Sequence, residues 1–274
     1  MKYNLFFSIR TAYLYWLMLA ISLCGISGCK KAAMSKTSTD PVPLGIPGSW
    51  TLKFHDEFNG TTLDTTSWWP NWFGSPRTYI TPPVNPTEAV AYDPAQVTVS
   101  GGYLNLSLVA KPVTIYGKTY QYRSGMIQTN GVGNTPLRQF TYGAFEARIN
   151  LPAAADGTIA NWPAWWTDGQ NWPTDGEMDV LEGLSGSACY HFHSPTTAAG
   201  ACPVGRFTGW HTYGANWQNG VVDYYYDGVL VGTQNTGITN APMYLIFNYS
   251  TGGCCAGQIV APAVMQVDYV RVWQ

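Results

Sequence analysis

The chain has 274 residues and a formal net charge of −2, and only 11% of its residues are charged. No block of Lys or Arg is present, which excludes the basic footprint of a nucleic-acid-binding protein. A hydrophobic content of 46% is enough to bury a large core in one or two domains. Together 12 Trp and 18 Tyr, punctuated by 29 Gly and 18 Pro, predict short strands, many turns and an aromatic-lined face.

In chain order, residues 1–29 read as a targeting segment. Lys2 and Arg10 precede an apolar run from Ala12 to Ile26 that is too short to span a bilayer comfortably. Ile26-Ser27-Gly28-Cys29 resembles a bacterial lipoprotein box, which would make Cys29 the lipidated first residue of the mature chain. A plain signal peptide cut near the same place is the alternative. Either implies export, and one acylated cysteine would hold the protein at a membrane surface with its domain outside the bilayer. Residues 30–47, rich in Lys, Ser, Thr, Pro and Gly, read as a flexible tether. The globular domain is expected over 48–274.

Within it, short alternating runs are separated by turn signals. Gln96-Val97-Thr98-Val99-Ser100 and Tyr103-Leu104-Asn105-Leu106-Ser107-Leu108 flank a Gly-Gly pair. Gly143–Ile149, Val221–Tyr226 ahead of Asp227-Gly228, and Met265–Trp273 follow the same pattern. No stretch has the periodicity of an amphipathic helix, so a single all-β, two-sheet sandwich is predicted. Export permits disulfides. Outside the leader, Cys189, Cys202, Cys254 and Cys255 allow three connectivities. Adjacent cysteines rarely bridge each other without strain, whereas Cys189–Cys202 closes a short loop and is the favoured pair.

The densest chemistry lies in Glu177-Met178-Asp179-Val180-Leu181-Glu182, three carboxylates interleaved with apolar residues. Glu177 and Asp179 share a face of a strand, whereas Glu182, five residues from Glu177, falls on the other. One β-bulge between Asp179 and Glu182 restores the phase and aims all three at one surface. A helix leaves the two glutamates roughly 140° apart. A row of carboxylates suits glycoside cleavage: one attacks the sugar carbon and another protonates the leaving oxygen.

This hexapeptide resembles the E-x-D-x-x-E signature of glycoside hydrolase family 16, in its bulged-strand branch of laminarinases, related β-glucanases, agarases and carrageenases. The similarity extends over roughly residues 50–274. Phe54-His55-Asp56-Glu57-Phe58-Asn59-Gly60 resembles the opening strand, and Tyr142–Arg148 the strand leading into the cleft. Asn161-Trp162-Pro163-Ala164-Trp165-Trp166 resembles the tryptophan motif before the catalytic strand. Tyr244–Asn248 and Val267–Val272 resemble the closing strands.

The resemblance implies a jelly roll whose concave sheet forms an open saccharide cleft, and a retaining double displacement without a catalytic cofactor. Carried over by position, Glu177 is the nucleophile, Glu182 the general acid/base, and Asp179 tunes the nucleophile. Trp162 and Trp166 match family positions as sugar platforms, Trp165 should point into the core, and Trp172 is expected to line the cleft. His193 matches a cleft histidine. His191 shares its parity with weaker support, and His211 is expected to be a hydrogen-bonded sheet residue. Asn248 is expected to hydrogen-bond in the cleft, since an amide in an apolar strand needs a partner or a ligand. A structural calcium is implied at Glu57, Asp268 and the Gly101 carbonyl.

Two departures stand out: Met126 where relatives carry Arg, and the Tyr190-His191-Phe192-His193 strand bracketed by cysteines. The leading expectation is an endo-acting β-1,3- or β-1,3-1,4-glucanase acting as a monomer on a polysaccharide. A galactan hydrolase, a transglycosylase and a non-catalytic carbohydrate-binding protein are the alternatives.

Overall fold

The computed structural model describes residues 41–253 and 255–274. The predicted leader, its Cys29 and the first part of the predicted tether lie outside the described residues. The described part of that tether is docked. Trp273 Nε1 donates to the Pro41 carbonyl at 2.6 Å, Leu44 N donates to Glu146 Oε2 at 2.6 Å, and Ile46 is buried beside Ala144, Tyr225 and Trp273. Three prolines in 41–47 restrict the unfolded chain, so ordering this strap costs less entropy than its composition implies. The domain therefore begins by residue 41 rather than at 48.

Two antiparallel-rich sheets face each other across one core. The ten-stranded outer sheet is centred on Gly143–Leu151, flanked by Gly209–Gln218 and Ala263–Trp273. The six-stranded cleft sheet runs in the spatial order Thr197–Ala201, Ser187–Ser194, Glu177–Leu184, Trp162–Gly169, Met243–Ser250, Met126–Gln128. Apart from two short 3-10 turns, the described residues form no helix, and the all-β sandwich expected from the sequence is what forms.

Alternation explains the layers. In Tyr103–Val109, Leu104, Leu106 and Leu108 are fully buried while the residues between them are not. Trp165 turns inward and stacks on Phe247 with ring centroids 4.4 Å apart, whereas Trp162 and Trp166 turn to the opposite face. Tyr190 of the cleft sheet stacks on Tyr224 of the outer sheet at 4.3 Å. Such pairs add about 0.5–1.5 kcal/mol each beyond their area burial, and they fix the spacing on which the cleft floor rests.

Candidate active site

The floor is set by one irregularity in the Glu177–Leu184 strand. Asp179 pairs with Trp166 and Leu181 with Trp165, so Val180 is the extra residue. On the other side, Asp179 pairs with His191 and Glu182 with Cys189. Val180 and Leu181 are both buried in the core, and the bulge returns Glu182 to the face of Glu177 and Asp179. The outer sheet holds this kink: the Tyr226 hydroxyl lies 3.1 Å from the Val180 carbonyl and 3.0 Å from the Cys189 carbonyl. Tyr224 donates to the His191 carbonyl at 2.8 Å.

Above the bulge lies a cleft of about 640 Å³ lined by all three carboxylates and by Trp162, Trp166, Trp172, His193 and Asn248. Every residue singled out as catalytic or sugar-binding therefore meets in one place. Trp172 Nε1 donates to Glu177 Oε2 at 2.5 Å and Trp162 Nε1 to Glu182 Oε1 at 3.1 Å. His193 Nε2 lies 3.3 Å from Asp179 Oδ2 and 4.0 Å from Glu177 Oε1. His191 Nδ1 lies 3.0 Å from Glu182 Oε2, in ion-pair range but off the hydrogen-bond direction. The histidine strand thus interleaves with the carboxylate strand, residue against residue.

Burial dominates the electrostatics. It pushes the Glu177 carboxyl well above the usual range, with the Asp179 charge adding to it and His193 and the Trp172 N–H opposing it. Asp179 is pushed up by burial and by the charges of Glu182 and Asp168. The two carboxyls titrate together as a pair. Glu177 also accepts from the Trp172 indole.

Asn248 hydrogen-bonds in the cleft, and its partners are protein groups. Its Oδ1 accepts from Trp166 Nε1 at 2.7 Å and its Nδ2 donates to Tyr92 Oη at 2.9 Å. Tyr92 donates in turn to buried Glu88 at 2.6 Å, which also accepts from Ser250. Asn248 is the middle of a chain that orients the Trp166 indole. His211 bonds Asp227 at 2.7 Å outside the cleft, as its sheet reading required. Met126 is fully buried, so that departure is in the core. Cys189–Cys202 is bridged, as favoured, in register with Glu182, and Cys255 is also disulfide-bonded.

The calcium positions fit less well. Both oxygens of Glu57 accept from Arg271, at 2.8 and 2.9 Å, and Asp268 pairs with Arg148 at 3.0 Å. Each carboxylate already has a guanidinium partner, which a cation would have to displace.

Several lining residues escaped the sequence reading. Asp168 shares the two-residue phase of Trp162 and Trp166, so extending that alternation finds it. Glu88, Trp72 and Phe73 come from the irregular segment between the strands Leu52–Asp56 and Val90–Tyr92, where no periodicity marks them.

A jelly roll with a carboxylate trio on the floor of a tryptophan-lined cleft is the architecture of a carbohydrate-active domain. Residues 147–261 match the family model described as "XgeA-like, catalytic GH16 domain". The chain is 31% identical over 252 residues to the endo-1,3-1,4-beta-glycanase of Rhizobium meliloti, covering 81% of this chain and 51% of that protein. It is 29% identical to the glucan endo-1,3-beta-glucosidase A1 of Niallia circulans, covering 87% of this chain and 39% of that protein. The chain thus spans about half or less of the length of these relatives. Among solved structures, the laminarinase catalytic domain of Thermotoga maritima superposes with a TM-score of 0.69 at 24% identity, over 83% of this chain and 99% of that one. The endo-beta-1,3-glucanase of Pyrococcus furiosus gives 0.66 at 25% identity, over 82% and 94%. Over residues 147–261 the chain is thus similar to the catalytic domains of glycoside hydrolase family 16.

Proposed function

We propose that this chain is an endo-acting, retaining glycoside hydrolase that cuts internal β-1,3 or mixed β-1,3-1,4 linkages of a glucan. One observation carries the reading: the bulge at Val180 gathers Glu177, Asp179 and Glu182 onto the floor of a tryptophan-lined groove. Glu177, ionised and oriented by Trp172, attacks the anomeric carbon. Glu182, held by Trp162, gives its proton to the leaving oxygen. The glycosyl-enzyme ester removes the Glu177 charge, and Glu182 then takes a proton from the incoming water. Asp179, on the same face two residues on, hydrogen-bonds Glu177 and tunes the nucleophile.

Among the described residues the cleft lining contains five carboxylates, Glu88, Asp168, Glu177, Asp179 and Glu182, and no Lys or Arg. That charge favours a neutral glucan over a sulfated galactan. The glucan-cleaving activities for which the Rhizobium meliloti and Niallia circulans relatives are named favour the same class. A transglycosylase would differ only in which acceptor takes the ester, and a binding protein has no use for the carboxylate trio.

Reducing-sugar release on laminarin, lichenan, agarose, carrageenan and xyloglucan tests the reading. Turnover of laminarin or lichenan is expected; silence on all five with binding intact would replace it with the lectin reading. Export with Cys29 acylated is proposed from the leader residues, and the Cys189–Cys202 bridge supports an oxidising compartment. Loss of membrane association in Cys29→Ser is the expected result. Catalysis is proposed to need no cofactor, and gel filtration is expected to give a monomer.

A further inference from the structure

We propose that Asp168 is a substrate-binding residue whose carboxyl accepts a ring hydroxyl of the sugar positioned for attack by Glu177. The inference rests on the hydrolase reading above and adds a group that the nucleophile, the acid/base and their helper leave unused.

Placement comes first. Asp168 lies on the cleft face of the Trp162–Gly169 strand and lines the cleft beside Glu177, His193 and Tyr244. Its cross-strand partner is Glu177 itself. Side chains directly opposite in an antiparallel pair start about 4.5–5.5 Å apart at Cβ. A sugar whose anomeric carbon faces Glu177 therefore presents a neighbouring hydroxyl to Asp168.

The carboxyl also lacks a sufficient partner within the protein. Tyr244 donates to Oδ2 at 3.0 Å, but Oδ1 is buried with no hydrogen bond among the described residues. The nearby Gly169 N–H favours the charge without being aligned on it, because it is given to the Gly176 carbonyl at 3.0 Å. Among the described residues no Lys or Arg lines the cleft to pair with it, and His193 is placed on Asp179 and Glu177. Burial pushes Asp168 up to about 7, with the Asp175 charge adding to it and Tyr244 opposing. A buried acid of this kind is costly to keep for packing alone, since an apolar residue would fill the space without leaving an acceptor unpaired. Asp168 as a whole is only partly buried and lines the groove, so a sugar hydroxyl can reach the exposed part of its carboxyl.

Two other roles give different results. A mere anchor for Tyr244, or a general influence on the Glu177 charge, would affect every substrate alike. A direct hydrogen bond affects only substrates that carry the hydroxyl. The test uses an aryl glycoside of the disaccharide released from the preferred glycan, which for laminarin is 4-nitrophenyl β-laminaribioside. Its 2-, 4- and 6-deoxy analogues in the aryl-bearing sugar complete the set.

Asp168→Leu is expected to lower kcat/KM on the parent by about 10- to 100-fold, the range for a lost hydrogen bond to a charged or acidic group. On one deoxy analogue the loss should shrink to about threefold or less. Asp168→Asn, which keeps an acceptor oxygen, should retain most of the parent activity. An equal loss on the parent and all analogues, or no loss at all, would overturn the inference. Partial misfolding does not confuse the comparison, because it scales all substrates of one variant together. Wild-type inactivity on the parent and on the polysaccharide panel would instead remove the hydrolase reading.

Discussion

Tyr226→Phe probes how the fold makes the site. The hydroxyl is buried and faces the Val180 and Cys189 carbonyls at 3.1 and 3.0 Å, reaching from the outer sheet to the bulge that orients Glu182. Removing it leaves buried carbonyls without this donor, at a cost of about 1–3 kcal/mol. For a domain of this size the melting temperature should fall by about 2–12 °C. The loss falls on the bulged register, and slipping out of it would turn Glu182 to the opposite face. Each 1 kcal/mol against that register corresponds to about fivefold in the population of the competent arrangement. Tyr224→Phe is the control: it removes a buried hydroxyl bonded to the His191 carbonyl at 2.8 Å without touching Val180. Differential scanning calorimetry and kcat on the cleaved glycan should show Tyr226→Phe losing more activity than Tyr224→Phe at similar destabilisation. Equal kcat in the two variants, with an unchanged melting temperature for Tyr226→Phe, would refute the assignment of Tyr226 to the bulge.

The pH dependence of Asp168 has a definite sign. Its folded value of about 7 lies above the ordinary 3.8, so the folded state binds the proton more tightly than the unfolded state. Stability is then lost as pH rises from about 4 to 7, by up to ~4 kcal/mol. Asp168→Asn should accordingly raise the melting temperature at pH 8 and leave it nearly unchanged at pH 4; the reverse order would contradict the burial argument. Glu182→Gln removes the transferable proton and should reduce turnover of polysaccharide by about 10²–10⁴-fold. Aryl glycosides with good leaving groups should still acylate Glu177 and accumulate a covalent adduct detectable by intact mass. Because Glu57 and Asp268 are paired with arginines, chelation should leave the melting temperature unchanged. A fall of several degrees with EDTA, reversed by calcium, would install the metal.

The catalytic strand was legible because its chemistry conflicts with plain alternation. Three acids with Val180 and Leu181 side by side cannot share a regular strand's polar face, and only a bulge resolves the conflict. The inward turn of Trp165 followed from the two-residue alternation, whereas Trp162 and Trp166 were placed by their resemblance to family positions. Asp168 obeys that phase too, yet a single acid ahead of a Gly reads as a turn residue. For Asn248 the need for a partner was legible but not its identity, because Tyr92 and Trp166 lie 156 and 82 residues away along the chain. No local pattern encodes such a bond. The strap at 41–47 was misread for a similar reason: its prolines and glycine have a linker's composition, and only the Trp273 and Glu146 partners show it docked. Tyr226 carried no signal, since a tyrosine in an alternating strand gives no hint of a carbonyl in the facing sheet.

The assignment of Glu177 as nucleophile is the centre of the account, and chemical rescue tests it most directly. Glu177→Ala should abolish turnover, and azide should restore cleavage of an activated aryl glycoside by occupying the space of the missing carboxylate. The product is then the glycosyl azide of inverted configuration, because the azide attacks once and no ester intervenes. Full activity in Glu177→Ala without azide would contradict the mechanism, as would rescue that gives only the retained hydrolysis product.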